Sequence, residues 1–249
     1  MQAHWSRWVP RTQWVIVGSM LVAAVLLRQH LVGFRPVFSW FQYAGLAAVL
    51  IGLFCTFLFG WGVRMRNPEV RRNAIVGLFL GLLPLGVVLL SVGQKNFAVP
   101  PIHDITTDTV NPPQYRVALT ARAPGENSLE YAGEALALQQ LEAYPDLSPL
   151  FFELPAADVT RLAAEVALAQ GWQILARDES AGYIEAVATT PLLRFRDDVV
   201  IRVVAEGQGS RVDVRSSSRV GVSDLGANAE RIRVFSAALK EAVAAEGRR

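Results

Sequence analysis

Two stretches of this chain, Phe41 to Val63 and Ala74 to Val92, contain no charged residue. Each is about as long as the roughly 20 apolar residues that cross the hydrocarbon of a bilayer. Both are therefore read as membrane-spanning helices. A third span precedes them: Trp14 to Leu27 is uncharged but short, and Arg11 and Arg28 at its ends can reach the headgroups, so the helix is expected over about residues 12–33. A cleavable signal peptide is the competing reading of this first segment, because Arg7 and Arg11 precede it. However, Arg28-Gln29-His30 stands where a small-x-small cleavage site would be expected, which favours a retained helix.

Positive charge orients such a bundle. Arg7 and Arg11 precede the first span, and Arg64, Arg66, Arg71 and Arg72 lie between the second and third, whereas the other side has Arg28, Arg35 and Lys95. The base-rich side is expected in the cytoplasm. That places the N-terminus on the cytoplasmic side of the membrane and the C-terminal part outside the cytoplasm. The second and third spans carry no ionisable group of the kind that marks an ion or proton path. Pro84 and the glycines at 45, 52, 77, 81 and 86 suit a helix bundle of any purpose. Residues 1–97 are thus a three-helix membrane region and 98–249 one extracytoplasmic domain, large enough for a core of its own.

Most of the charge lies after Gly93, with acids and bases interspersed and a net charge of only +2. That pattern lacks the basic stripe that tracks a phosphate backbone, so nucleic acid is not an expected partner. Cys55 is the one cysteine, which excludes an internal disulfide and any CxxC metal site, and no cofactor is expected. Pro100-Pro101 and Pro112-Pro113 bracket an extended linker. Within it, His103, Asp104 and Asp108 could be a hard-metal or acid/base cluster, though turn hydrogen bonding is the plainer reading.

Beyond the linker the pattern is α+β. Asp158 is placed as the N-cap of a helix over 159–170 that Gly171 closes, and Trp172 begins a strand. Strands follow over 183–190, 197–205 and 211–219, an antiparallel meander with its last turn at 206–209. Alternation registers the final hairpin with Ala205 opposite Ser210. Val199, Ile201, Val203, Val212 and Val214 then share one face, and Arg202 lies opposite Asp213. The reverse face collects Asp198, Arg202, Asp213, Arg215 and Arg219, with Glu185 from the neighbouring strand. This charged ladder is either cross-strand ion pairing on a solvated face or a groove for an anionic or zwitterionic ligand gripped by Arg202, Arg215 and Arg219.

Ser216 and Ser218 replace valines on the inward face, and buried hydroxyls need partners. Ser223 or Asp224 is expected to cap the last helix, whose stripe is Leu225, Ile232, Phe235, Leu239 and Val243. Asn228 lies on or beside that stripe, where a buried amide most often ties down backbone. A catalytic serine would need a base beside it, but His103 is the only histidine after the membrane spans and no GxSxG elbow occurs.

Several segments in order carry a family likeness: Pro100-Pro-Ile-His-Asp-Ile-Thr-Thr-Asp108, Ala143-Tyr-Pro-Asp-Leu147, Gly182-Tyr-Ile-Glu-Ala186, Phe195-Arg-Asp-Asp-Val-Val-Ile-Arg202, and Asp213-Val-Arg-Ser-Ser-Ser-Arg-Val-Gly221 through to Ile232. Together they resemble the bacterial and plastid family called domain of unknown function 1499. The resemblance implies the domain boundary and a bacterial envelope setting, and it brings no reaction, cofactor or catalytic residue. The function expected is a membrane-anchored module that binds a partner protein or small polar ligand in the envelope, with candidate contacts Arg202, Arg215, Arg219, Asp198, Asp213, Ser216, Ser218, Asp224 and Asn228. The alternative is a periplasmic hydrolase or transferase that uses Asp197 or Asp198 with Asp104 or His103 after the linker folds back.

Overall fold

A computed structural model describes residues 4–92 and 94–248. Gly93, where the sequence turns from apolar to polar, and Arg249 lie outside the described residues. The chain divides into two compact units, Met1–Gln94 and Lys95–Arg249.

The first unit holds three helices: α1 (Trp8–Arg28), α2 (Phe34–Arg64) and α3 (Pro68–Val92). All three are long and apolar enough to cross a membrane. Their limits correct the expected ones. α1 stops at Arg28 rather than near residue 33, because His30 takes a positive φ of 57° and Leu31 N–H turns back to the Leu26 carbonyl. α2 begins seven residues before Phe41, since Pro36 falls in its first turn, where no intrahelical N–H is required. α3 begins at Pro68, behind Asn67, whose Oδ1 accepts the N–H groups of Glu69 and Val70. A charge-free window thus marks the apolar middle of each helix, and the helix itself runs past it.

Close packing inside this unit rests on small residues. A Cβ added to Gly81 would lie 2.5 Å from the Ala48 carbonyl oxygen and 2.8 Å from Gly52 Cα, so α2 and α3 meet backbone to backbone. Gln13 of α1 donates to the carbonyls of Ala48 and Gly77 and joins all three helices. Arg7 pairs with Glu69, and Asn73 donates to Ser6 Oγ. The start of α1 and the α2–α3 turn therefore share one end of the bundle, as three spans require.

The second unit is a six-stranded antiparallel sheet with helices. Its strands are β1 (Asp104–Thr106), β2 (Leu150–Phe152), β3 (Gln173–Asp178), β4 (Tyr183–Thr189), β5 (Arg196–Glu206) and β6 (Gly209–Ser218). The order is β1-β6-β5-β4-β3, with β2 also paired to β6. Ala205 lies opposite Ser210 and Arg202 opposite Asp213, the register that hydrophobic alternation requires. The helices are α4 (Ala118–Ala121), α5 (Glu134–Ala143), α6 (Ala156–Ala169) and α7 (Ala227–Glu246).

The main core fills one sheet face. Val199, Ile201, Val203, Val212 and Val214 pack with Val159, Leu162 and Val166 of α6 and with Ile232, Phe235 and Leu239 of α7. The Trp172 and Phe235 rings stack at 5.2 Å. Gly171 closes α6 as expected, with φ +77° and its N–H on the Leu168 carbonyl. The other end of α6 is a correction: the helix starts at Ala156 behind Pro155, so Asp158 is a first-turn acid facing the helix's positive end rather than its cap. α7 likewise starts behind Gly226, which takes φ +85°.

The largest correction concerns residues 100–113. They are extended, but not a free linker: Asp104, Ile105 and Thr106 pair with Ser217, Ser216 and Arg215 as an edge strand. That edge is closed by a side chain. Gln140 of α5 donates to the Thr106 carbonyl at 2.6 Å and accepts the Thr106 N–H at 2.9 Å, so its amide stands in for another strand.

Candidate functional site

The charged face is not solvated. Residues 108–131 fold over it, and Tyr115, Ala118 and Leu129 form a small second core with Tyr183 and Val200 of the sheet. Of the expected ion pairs, Arg202–Asp213 and Arg219–Asp198 form beneath this cover, whereas Arg215 and Glu185 find their partners outside the ladder.

Arg215 is wholly buried. Its Nε and Nη2 donate to both oxygens of Asp104, at 2.9 and 2.7 Å, while Nη1 and Nη2 reach the carbonyls of Pro113 and Leu129. The rings of Tyr115 and Tyr131 lie within 4.9 and 5.3 Å of the guanidinium carbon. Burial opposes the charge of Arg215, but Asp104 outweighs it and holds the guanidinium above its ordinary pKa. Burial, with Asp104 nearby, pushes the Tyr131 phenol up to about 12, and its oxygen is buried without a hydrogen-bond partner among the described residues.

Asp198, also wholly buried, accepts from Arg219 and from Arg122, each at 2.7 Å. Arg122 further clamps the cover by donating to the carbonyls of Asn127 and Ser217. Asp213 and Asp108 share Arg202 and Arg211, each guanidinium touching both acids at 2.7–3.0 Å. Burial pushes the Asp108 carboxyl up, but the N–H groups of Asn111 and Val110 and the two arginines outweigh it and hold it below the usual range. Arg202 keeps a quarter of its side chain exposed.

Glu185 has no ion pair among the described residues. Instead the backbone N–H groups of Arg116, Val117 and Ala118, at the start of α4, donate to its carboxylate, as does the Tyr183 hydroxyl. Successive N–H groups at a helix start form a nest for an anion, here filled by the protein's own side chain.

A second polar cluster lies under α7. Ser216 donates to Asn228 Oδ1 at 2.7 Å, and Asn228 Nδ2 donates to Ser218 Oγ and to the His103 carbonyl, each at 2.9 Å. The buried amide thus ties down both hydroxyls and the β1 approach. Arg231 donates to Ser216 Oγ, Asn228 Oδ1 and Asp197. Asp224 accepts from the N–H groups of Gly226 and Asn228, and so serves α7 from two positions before the cap residue. Ser223 Oγ accepts the Leu225 N–H. Burial, with Asp197 nearby, pushes the Asp224 carboxyl above the usual range despite those N–H groups.

Asp197 and Asp198 are therefore on opposite faces, one held by Arg231 and the other by Arg122 and Arg219. His103 Nδ1 lies 3.3 Å from the Val222 carbonyl. Asp104 and Asp198 flank Ser217 on β1 and β5, and each carboxylate is engaged by arginine, Asp104 by Arg215 and Asp198 by Arg219 and Arg122. Asp108 makes the turn hydrogen bonds expected of that cluster, and Asp104 is instead the buried partner of Arg215.

Beside β1 lies an open cleft of about 370 Å³, lined by Pro101–Asp104 on one side and by Asn127, Ser128, Glu130, Ala132, Ala135, Leu136 and Gln139 on the other. Ile102 and Leu136 supply buried apolar surface, Asn127, Ser128 and Gln139 neutral polar groups, and Glu130 an exposed carboxylate. Its lining includes no lysine or arginine. Sequence reasoning missed Arg122, Arg231, Gln140 and the Glu130 wall. Acids and bases on the reverse face already balanced, so nothing in the spacing called for further partners from 108–140.

Residues 104–239, more than half of the chain, match the family described as "Protein of unknown function (DUF1499)". The chain belongs to the DUF1499 family. The DUF1499 match begins at Asp104, the partner of Arg215, and ends at Leu239, the last wholly buried core residue of α7. It takes in both polar clusters and the 127–139 wall of the cleft, and leaves out the three long apolar helices and Pro101–His103. No curated protein matches the chain. Among solved structures, the crystal structure of TTHA0849 from Thermus thermophilus is similar over 40% of this chain and 96% of its own, at 14% identity and a TM-score of 0.27, too slight a likeness to argue from.

Proposed function

We propose that this DUF1499 protein is a membrane-tethered binding module of the bacterial envelope, which takes a small ligand with an amine or amide donor into the cleft between residues 101–104 and 127–139. The cleft itself carries the reading. Its volume falls within the range of small-ligand sites, it offers apolar floor beside a few polar groups, and its charged lining is acidic. The arginines of the sheet favour the same conclusion from the other side, since their hydrogen-bonding groups are engaged by Asp104, Asp108, Asp198 and Asp213 and by the cover. They hold the cleft's walls in place. On this reading the N-terminus and the α2–α3 turn are cytoplasmic, following the positive charge at that end, and the DUF1499 domain is periplasmic.

Thermal unfolding of the full-length protein in detergent, with lysinamide at millimolar concentration as probe, tests the proposal. The melting midpoint of the wild type should rise with lysinamide and not with methyl hexanoate, a chain of the same length that carries no amine or amide N–H. Ala135→Trp, which fills an exposed position of the cleft wall, should melt normally and lose the response. An unresponsive wild type, or an equal response in Ala135→Trp, would refute the site.

A further inference from the structure

The membrane unit has a cleft of its own. Phe59 of α2 and Pro68, Arg71, Arg72, Ile75 and Val76 of α3 border an open groove of about 320 Å³ at the base-rich end of the bundle. Arg71 and Ile75 are four residues apart, as are Arg72 and Val76, so each arginine stands above an apolar neighbour on the same helix face. Four residues of helix rise about 6 Å. The lining therefore changes, over that distance, from two guanidinium groups to Phe59, Ile75 and Val76, all partly exposed.

The charges at this end are not balanced as they are in the DUF1499 domain. Arg64, Arg66, Arg71 and Arg72 share their segment with one acid, Glu69, and Arg7 pairs with that acid. Neither the Arg71 nor the Arg72 guanidinium makes an ion pair or hydrogen bond within the chain among the described residues. A positive rim over an apolar wall complements a phosphate joined to an acyl chain, and basic pockets between membrane helices on the cytoplasmic side suit anionic headgroups. The placement of the two arginines is specific, since Arg64, at the end of α2, and Arg66, in the turn that follows, do not line the cleft.

We infer that this cleft binds an anionic phospholipid, with its phosphate on Arg71 and Arg72 and an acyl chain along Phe59, Ile75 and Val76. The inference rests on the membrane reading of α1–α3 and is independent of the ligand cleft in the other unit.

Native mass spectrometry of the full-length protein, delipidated in detergent, tests it with dioleoyl-phosphatidylglycerol and dioleoyl-phosphatidylcholine as matched probes. The wild type should prefer phosphatidylglycerol by a factor on the order of thirty, as expected of two arginines at a membrane surface. Arg71→Gln with Arg72→Gln should abolish the preference, while Arg64→Gln with Arg66→Gln should keep it. Ile75→Trp fills the apolar wall at an exposed position, leaves every charge in place and should also lose it, which tests the site even if the double arginine variant misfolds. Equal binding of the two lipids would overturn the inference. So would full binding by Ile75→Trp combined with displacement by millimolar inorganic phosphate, which would mark a site for free phosphate. Release of the protein from membranes by alkaline carbonate would instead sink the membrane reading itself.

Discussion

Arg215 holds a charge at zero exposure, and its hydrogen bonds to Asp104, Pro113 and Leu129 are what make that tolerable. Removal of one partner from such a pair strands the other in a low-dielectric site, at a cost of about 3–5 kcal/mol, whereas replacement of both by apolar groups is often neutral. Arg215→Met should therefore destabilise the DUF1499 domain by about that amount. Adding Asp104→Leu should recover most of the loss, as read by chemical denaturation of the full-length protein. A double variant no more stable than Arg215→Met would show that the carbonyls of Pro113 and Leu129, not Asp104, set the demand for charge. The alternation of β5 and β6 placed Arg215 on the correct face. Its partner was not legible, because Asp104 is 111 residues away and arrives only when β1 docks.

β1 is three residues long and lies at a sheet edge, so its backbone pairing alone gives little. Gln140 completes it from α5. Gln140→Leu keeps the bulk and removes both bonds, and leaves the Thr106 N–H and carbonyl buried without partners at about 1–3 kcal/mol each. Amides of residues 104–106 should then exchange hydrogen much faster, with those of β4 and β5 little changed. Unchanged protection at Thr106 would contradict the edge-closing role. The strands from Gln173 to Ser218 were readable because their side chains alternate between a dry core and a polar face, and Gly171 marked the end of α6. α4, α5 and β2 carried no such signal: they are short, and what they cover is polar backbone and charge rather than a continuous apolar stripe.

The whole chain couples a bundle of long apolar helices to a domain whose charges are largely internal. If the base-rich end is cytoplasmic, alkaline phosphatase fused after the C-terminal residue should be active in bacterial cells and a green fluorescent protein fused there should be dark. The reverse pattern would overturn the periplasmic placement. The sequence by itself determined the partition into a unit of long apolar helices and an α+β domain, the meander and its register, and the pairing of Arg202 with Asp213. Each of these follows from local rules of helix length, alternation and turn chemistry. Only the tertiary structure decided that the charged face is covered, that residues 104–106 join the sheet, and where open clefts remain. Those outcomes depend on contacts between segments far apart in the chain, and a guanidinium in the sequence looks the same whether water or a folded-back segment meets it.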